Sequence, residues 1–267
     1  MFVFEFMRRA FICGVLIAVM IPFIGVVMVN RRTAMIGDAL SHTSLAGVAI
    51  GLILGFDPII GATLICIVSA LSIERIRKIF PQYGDMATAV VMSIGLGLAG
   101  ILSNFSASGN TFESYLFGSI SSVTVSDLRL VIIAFFLVIA FSIVYYNALM
   151  DIAIDVHLAR LAGVNVAWIN VAFTILTAIT VALSARVVGA LLVSSLMVLP
   201  VATALMISRS YKQTVIISVG LSLIDMLVGL TMSFYWNFKP GGAIILVAVT
   251  AMLCVSSFGY IRKKLML

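Results

Sequence analysis

Asp38 and His42 stand four residues apart in GDALSH, and the chain holds only one other histidine. On a helix this spacing puts both side chains on one face, with β-carbons about 5–6 Å apart, so a carboxylate and an imidazole converge on one cation. Two ligands are too few to hold a metal alone. The segment around them, Ala39 to Gly55, is apolar, and an ionisable pair in an apolar span reads first as a functional site facing a cavity or partner helix. The pair therefore suggests a path for a divalent metal through a membrane. The plainer reading is a helix start, with Asp38 capping the span and His42 in an interfacial turn.

Other chemistry-bearing residues are sparse. Asp225 lies mid-span between Ile224 and Met226 and would line a path, pair with a serine such as Ser222, or stay protonated. His157 falls in a polar loop and reads as a solvated or interface residue. Glu113 and Asp127 flank a long loop, where solvated acids are the simplest account. The methionines are scattered without an M-x-x-M repeat, and Cys13, Cys66 and Cys254 lie far apart in apolar runs and read as small buried hydrophobes. There is no Gly-Lys dipeptide and hence no Walker loop for ATP, and no H-E-x-x-H, G-x-S-x-G or C-x-x-C.

The elements that must position these residues are membrane helices. Of the 267 residues, 63% are hydrophobic and 10% charged, and the mean hydropathy is +1.26. Such a chain is an all-α, polytopic membrane protein with eight or nine spans of about 20 residues; barrel strands would alternate instead. The apolar runs place spans near Phe11 to Val29, Ile36 to Leu54, Ile59 to Ile73, Met86 to Phe105, Leu130 to Asn147, Trp168 to Leu183, Val187 to Ser208, Val215 to Tyr235 and Ala243 to Tyr260. No cleavable signal peptide is expected. With nine spans, one side collects eleven of the sixteen basic residues, so that side and the C-terminus are assigned to the cytoplasm. The net charge of +6 is then explained by basic loops beside anionic lipid and needs no nucleic acid.

Two connections exceed a turn. From Ser106 to Asp127, on the outer side, the stretch Tyr115 to Ile120 among serines and glycine suggests a short re-entrant segment. From Ala148 to Ala167, on the cytoplasmic side, Ile152, Val156, Ala159 and Gly163 are spaced for one amphipathic helix. Pro200 predicts a kink or break in the seventh span. GALLVSS in that span faintly echoes GDALSHTS near residue 37, too weakly to mark a duplication.

The blocks RRTAMIGDALSHTSLAGVAIG, YLFGSI, DVHLARLAGVNV, VGALLVSSLMVLPVATA and SFYWNFKPGGAIIL occur in this order along nearly the whole chain. In that order they resemble the membrane permease subunits of bacterial zinc, manganese and iron ABC importers. The resemblance implies a single permease domain over residues 1–267 in the bacterial plasma membrane and a homodimer. It also implies two copies of a separate cytoplasmic ATPase and an extracellular metal-binding lipoprotein that delivers Zn2+, Mn2+ or Fe2+ as cargo, with no permanently bound cofactor. It places Asp38 and His42 at the pore metal site. Residues 148–167 become a cytoplasmic coupling loop in which Asp155, Ala159 and Gly163 meet the ATPase. Asp225 matches no block of the family. A stand-alone ion-coupled transporter or channel using Asp38 and Asp225 is the competing reading; an intramembrane acid-base enzyme has only the Asp38–His42 pair behind it.

Overall fold

The computed structural model describes residues 5–105, 114–119, 123–236 and 238–265. Glu113 and the end of the expected re-entrant stretch, Ile120, lie outside them. Among the described residues, eleven α-helices with both ends described follow in order: α1 (Glu5–Asn30), α2 (Met35–Leu54), α3 (Pro58–Ile79), α4 (Gly84–Ser103), α5 (Val125–Val144), α6 (Tyr146–Ile154), α7 (Val156–Leu161), α8 (Val166–Val187), α9 (Ala190–Ile207), α10 (Tyr211–Trp236) and α11 (Pro240–Leu265); residues 114–117 are also helical. Eight of the described helices are long and apolar enough to cross a membrane, and α9 is a shorter apolar helix among them. The chain is thus an all-α membrane protein with the eight or nine spans expected.

Burial sorts the helices. α1 and α2 are the most enclosed, whereas α4, α5 and α11 turn most of their surface outward. α1 packs against α5, α8, α9 and α10, and α2 against α3, α4, α8 and α9. Exposed Leu64, Val68, Ile94, Phe136, Ile224 and Leu246 form the apolar exterior, as a hydrocarbon solvent requires.

Small residues set how closely α2 is held. A β-carbon on Gly47 would fall 2.4 Å from the Gly61 carbonyl of α3, and one on Gly95 of α4 would fall 2.3 Å from Thr43. Backbones at that separation exclude any larger residue. α2 is therefore clamped on two sides, and the face bearing Asp38 and His42 is the one turned toward α9.

The turn from α1 to α2 is equally defined. Arg32 adopts a left-handed φ of 55°, the Thr33 amide donates to Met28 at 2.8 Å, and Arg31 Nη1 donates to Asn170 Oδ1 of α8 at 3.0 Å. Burial lowers the proton affinity of Arg31, with Glu74 opposing the shift and Arg77 adding to it. This end of the bundle is tied by polar contacts from the α1–α2 turn to α1 and to α8, far along the chain.

Two expectations change. Residues 148–167 do not make one helix: α6 ends at Ile154, Asp155 is extended at φ −153°, and α7 begins at Val156. The physical reason is Asp155, whose Oδ1 accepts from the His157 amide at 2.7 Å and so caps a new helix instead of continuing the old one. In the seventh span, of the kink or break expected at Pro200 the break does not occur, since α9 continues through it.

Candidate metal centre

Asp38 lies in the first turn of α2, but it does not cap that helix: the N-cap is Ala34, with no side-chain bond to the first amides. Asp38 Oδ1 instead sits 3.8 Å from His42 Nε2, while Ser194 Oγ of α9 donates to the same oxygen at 3.1 Å. The side chains are 32% and 18% exposed for Asp38 and His42. His42 Nδ1 is buried without a hydrogen-bond partner. The two predicted ligands therefore converge, partly open, with one imidazole nitrogen near the carboxylate and a hydroxyl fixing its orientation. Among the described residues no group of three or more His, Cys, Asp or Glu is assembled within the chain.

Ser194 is the residue that a reading of ligand types passes over. The sequence carried no signal for it: the echo of GDALSHTS in GALLVSS is too weak to mark a duplication and does not imply contact, although the fold packs α9 against α2. A β-carbon on Gly37 would lie 3.2 Å from Met197 Sδ, and one on Gly25 of α1 would lie 2.5 Å from the Met197 carbonyl. Close backbone approach of α1, α2 and α9 is what delivers Ser194 to Asp38.

The remaining candidate residues occupy other regions. Asp155 caps α7, Ala159 is fully buried, and Gly163 takes φ +82° just beyond the helix end. The Ile152, Val156 and Ala159 stripe thus faces the bundle, and the exposed apolar residues are Ile154, Leu158 and Leu161. His157 is exposed. Cys13 and Cys66 are buried, but Cys254 is exposed on α11, so the expectation of three buried thiols fails for the one on an outward-facing helix.

Asp127 departs most from expectation. It is 3% exposed, and it closes a capping box with Thr124 at the start of α5. Arg186 Nε from the last turn of α8 approaches its Oδ2 at 3.1 Å. Arg186 also donates to the Tyr115 hydroxyl and lies over that ring, 5.2 Å from its centroid. Burial raises the Tyr115 phenol above its ordinary value and Arg186 offsets part of the shift, so it is neutral at physiological pH. Beside this network three glycines meet. β-Carbons on Gly118 and Gly189 would fall 2.5 Å from the Val187 carbonyl and 2.4 Å from the Phe117 carbonyl carbon, and one on Gly241 would fall 2.0 Å from the Val188 carbonyl. Gly118 and Gly189 also have φ of +76° and +101°, where a β-carbon is strained whatever the space.

The described geometry can be set beside known proteins. A family model described as the ABC 3 transport family matches residues 3–259. The chain belongs to the ABC 3 transport family. Among curated relatives, a Treponema pallidum protein named "Probable metal transport system membrane protein" is 35% identical over 94% of this chain and 95% of its own length. The high-affinity zinc uptake system membrane protein ZnuB of Haemophilus influenzae is 28% identical over 91% of this chain and 94% of its own. The solved structure described as PsaBC from Streptococcus pneumoniae in complex with Fab superposes with a TM-score of 0.85 at 25% identity, covering 94% of this chain and 91% of that one. As a member of this family the chain is a membrane transport subunit, and the blocks that suggested the family run through α2, α7, α9 and the start of α11.

Proposed function

We propose that the chain is the permease of an ATP-driven importer of divalent transition metal ions, and that Asp38 and His42 are its ligands on the translocation path. The observation that carries this reading is the convergence of Asp38, His42 and Ser194 on a partly open face of α2. One copy supplies one carboxylate and one imidazole; two copies related by a twofold axis supply a four-ligand set of the kind zinc accepts. Imidazole favours zinc and carboxylate suits manganese, while iron accepts both, so the ligand types leave the cargo among these three. The zinc named for the Haemophilus influenzae relative is the first to test.

The power source in this reading is a separate cytoplasmic ATPase dimer, since the sequence contains no Walker loop. Its docking surface is the α6–α7 region. Leu158 and Leu161 stand 60% and 84% exposed on a short helix otherwise anchored by Ala159, and an apolar helix face of this kind suits insertion into a partner groove. An extracellular metal-binding lipoprotein delivers the ion from the other side. In this reading the protein lies in the bacterial plasma membrane, and the bias of basic residues supports a cytoplasmic C-terminus.

The test is uptake of zinc, manganese and iron into proteoliposomes holding the permease with its ATPase and binding protein. ATP-dependent accumulation that is lost in Asp38→Ala and His42→Ala, with the complex still assembled, is the expected result. Transport by the permease alone, or normal uptake by both variants, would overturn the reading.

A further inference from the structure

Asp225 is the one described acid that is both buried and without a partner. It is 1% exposed on α10, and its Oδ1 has no hydrogen bond. Two hydroxyls on the same helix share this condition: Ser218 Oγ and Ser222 Oγ are fully enclosed and unpartnered. Ser184 Oγ of α8 is also enclosed and unpartnered, but other hydroxyls of the bundle bond to their own helix. Ser41, Thr63, Thr177, Thr180 and Thr203 each donate to a carbonyl of the preceding turn at 2.8 Å. Ser218 and Ser222 have that option and leave it unused, so their oxygens remain available to something other than their own helix.

The three residues follow one face of α10. Ser218 to Ser222 rises about 6 Å and Ser222 to Asp225 about 4.5 Å along the axis, from the 1.5 Å rise per residue. One water joined to two oxygens by hydrogen bonds of about 2.8 Å spans about 4.4–5.6 Å, enough for Ser222 to Asp225, and the longer step from Ser218 to Ser222 takes one or two waters. Ser218 and Asp225 are about 10 Å apart along the helix, too far to share a metal ion bound at about 2.0–2.6 Å. The geometry is that of a file of waters and not of a metal cage. The file is continued by Thr214, whose Oγ1 lies 2.8 Å from Ser208 Oγ at the α9–α10 turn.

Nothing charged compensates Asp225. The helices packed against α10 are α1, α9 and α11. α9 has no titratable residue, α1 has Cys13 within its apolar part and Glu5, Arg8 and Arg9 at its start, and α11 has Cys254 and then the basic residues of its last turns. α10 itself adds Lys212, Tyr211 and Tyr235 near its ends. An ionised carboxylate in such surroundings would be held at a large free-energy cost. We propose that Asp225 is a proton-binding site, separate from the metal centre, reached through waters held by Ser218 and Ser222 from the Thr214 end of α10. The proton bonds to a carboxylate oxygen and gives a neutral carboxyl group, with no other bond made or broken. That end is cytoplasmic in the orientation proposed above, but the site itself does not depend on that orientation.

The test is infrared spectroscopy of the full chain in lipid nanodiscs, following carboxylic-acid carbonyl bands on exchange from H2O to D2O. The expected result is a band at neutral pH that persists in Asp38→Asn, disappears in Asp225→Asn and changes frequency in Asp225→Glu, the last serving if the asparagine variant is unstable. In Ser218→Val/Ser222→Val, which dries the slot and keeps Asp225, deuterium exchange of this band slows by roughly tenfold or more. Absence of an Asp225-dependent band, exchange indifferent to the valines, or removal of the band by sodium at constant pH would each overturn the proposal. Because no metal is added, the result is independent of whether the importer reading holds.

Discussion

Ser194 Oγ donates to Asp38 Oδ1 at 3.1 Å across the α9–α2 interface, on the same oxygen that faces His42 Nε2. A partner that orients a ligating carboxylate changes metal affinity without itself touching the ion. Ser194→Ala is therefore expected to weaken metal binding roughly 10–100-fold, with threonine restoring most of it. Titration of the purified permease with zinc and manganese measures this directly; unchanged affinity in the alanine variant would remove Ser194 from the site.

The two proposed ligands carry a stronger expectation. Substituting Asp38 or His42 removes two of four donors at once if two copies share the ion, so either single variant is expected to reduce uptake to background. Chelation, by contrast, is expected to leave thermal stability of the purified permease unchanged, since the metal is cargo and the bundle's core does not depend on it. A melting temperature that falls on chelator treatment would point to a resident structural metal.

Much of this site was legible before the fold. The i, i+4 spacing placed Asp38 and His42 on one face because helix geometry alone dictates it, and the spans followed from apolar run lengths. What spacing does not encode is contact between helices: Ser194 is 156 positions from Asp38, and nothing in the sequence pairs them. Asp155 misled for a different reason. Its neighbours fit an amphipathic stripe, but a carboxylate that accepts local amides interrupts a helix as readily as it decorates one. Asp127 was misread because a loop acid looks solvated until Arg186 is brought beside it.

At the glycine junction, Gly118→Ala and Gly189→Ala each drive a β-carbon into backbone at 2.4–2.6 Å and force a left-handed φ on alanine. A loss of several kcal/mol is expected, read as reduced yield and a lower melting temperature. Gly97→Ala and Gly100→Ala in α4 have nothing within 4 Å and are expected to be neutral or to stabilise by up to about 1 kcal/mol. Equal effects at the four positions would contradict the described packing.

Arg186 and Asp127 make a second stability prediction. Arg186→Leu strands a carboxylate that is 3% exposed, at about 3–5 kcal/mol. Adding Asp127→Asn removes that charge and keeps an amide able to cap α5, so the double variant is expected to melt above the single one. A double variant less stable than Arg186→Leu would mean the pair is not the dominant interaction of Asp127.

For the α7 surface, Leu158→Glu/Leu161→Glu is expected to abolish stimulation of the ATPase while leaving zinc titration of the permease intact. Loss of both would indicate a folding defect, and loss of neither would move the docking surface elsewhere.

α1 packs against α5, α8, α9 and α10, yet about 180 residues separate its end from the start of α10. At synthesis rates of about 5–20 residues per second, the first helix enters the bilayer on the order of ten to forty seconds before its last partner exists. Through that interval the most enclosed element of the finished protein is bounded largely by lipid, and Arg8, Arg9 and Glu5 at its start are the polar groups available to hold its depth. The packing around α1 is thus completed last, and a ribosome that stops before α10 leaves the first helix facing lipid where its last partner belongs.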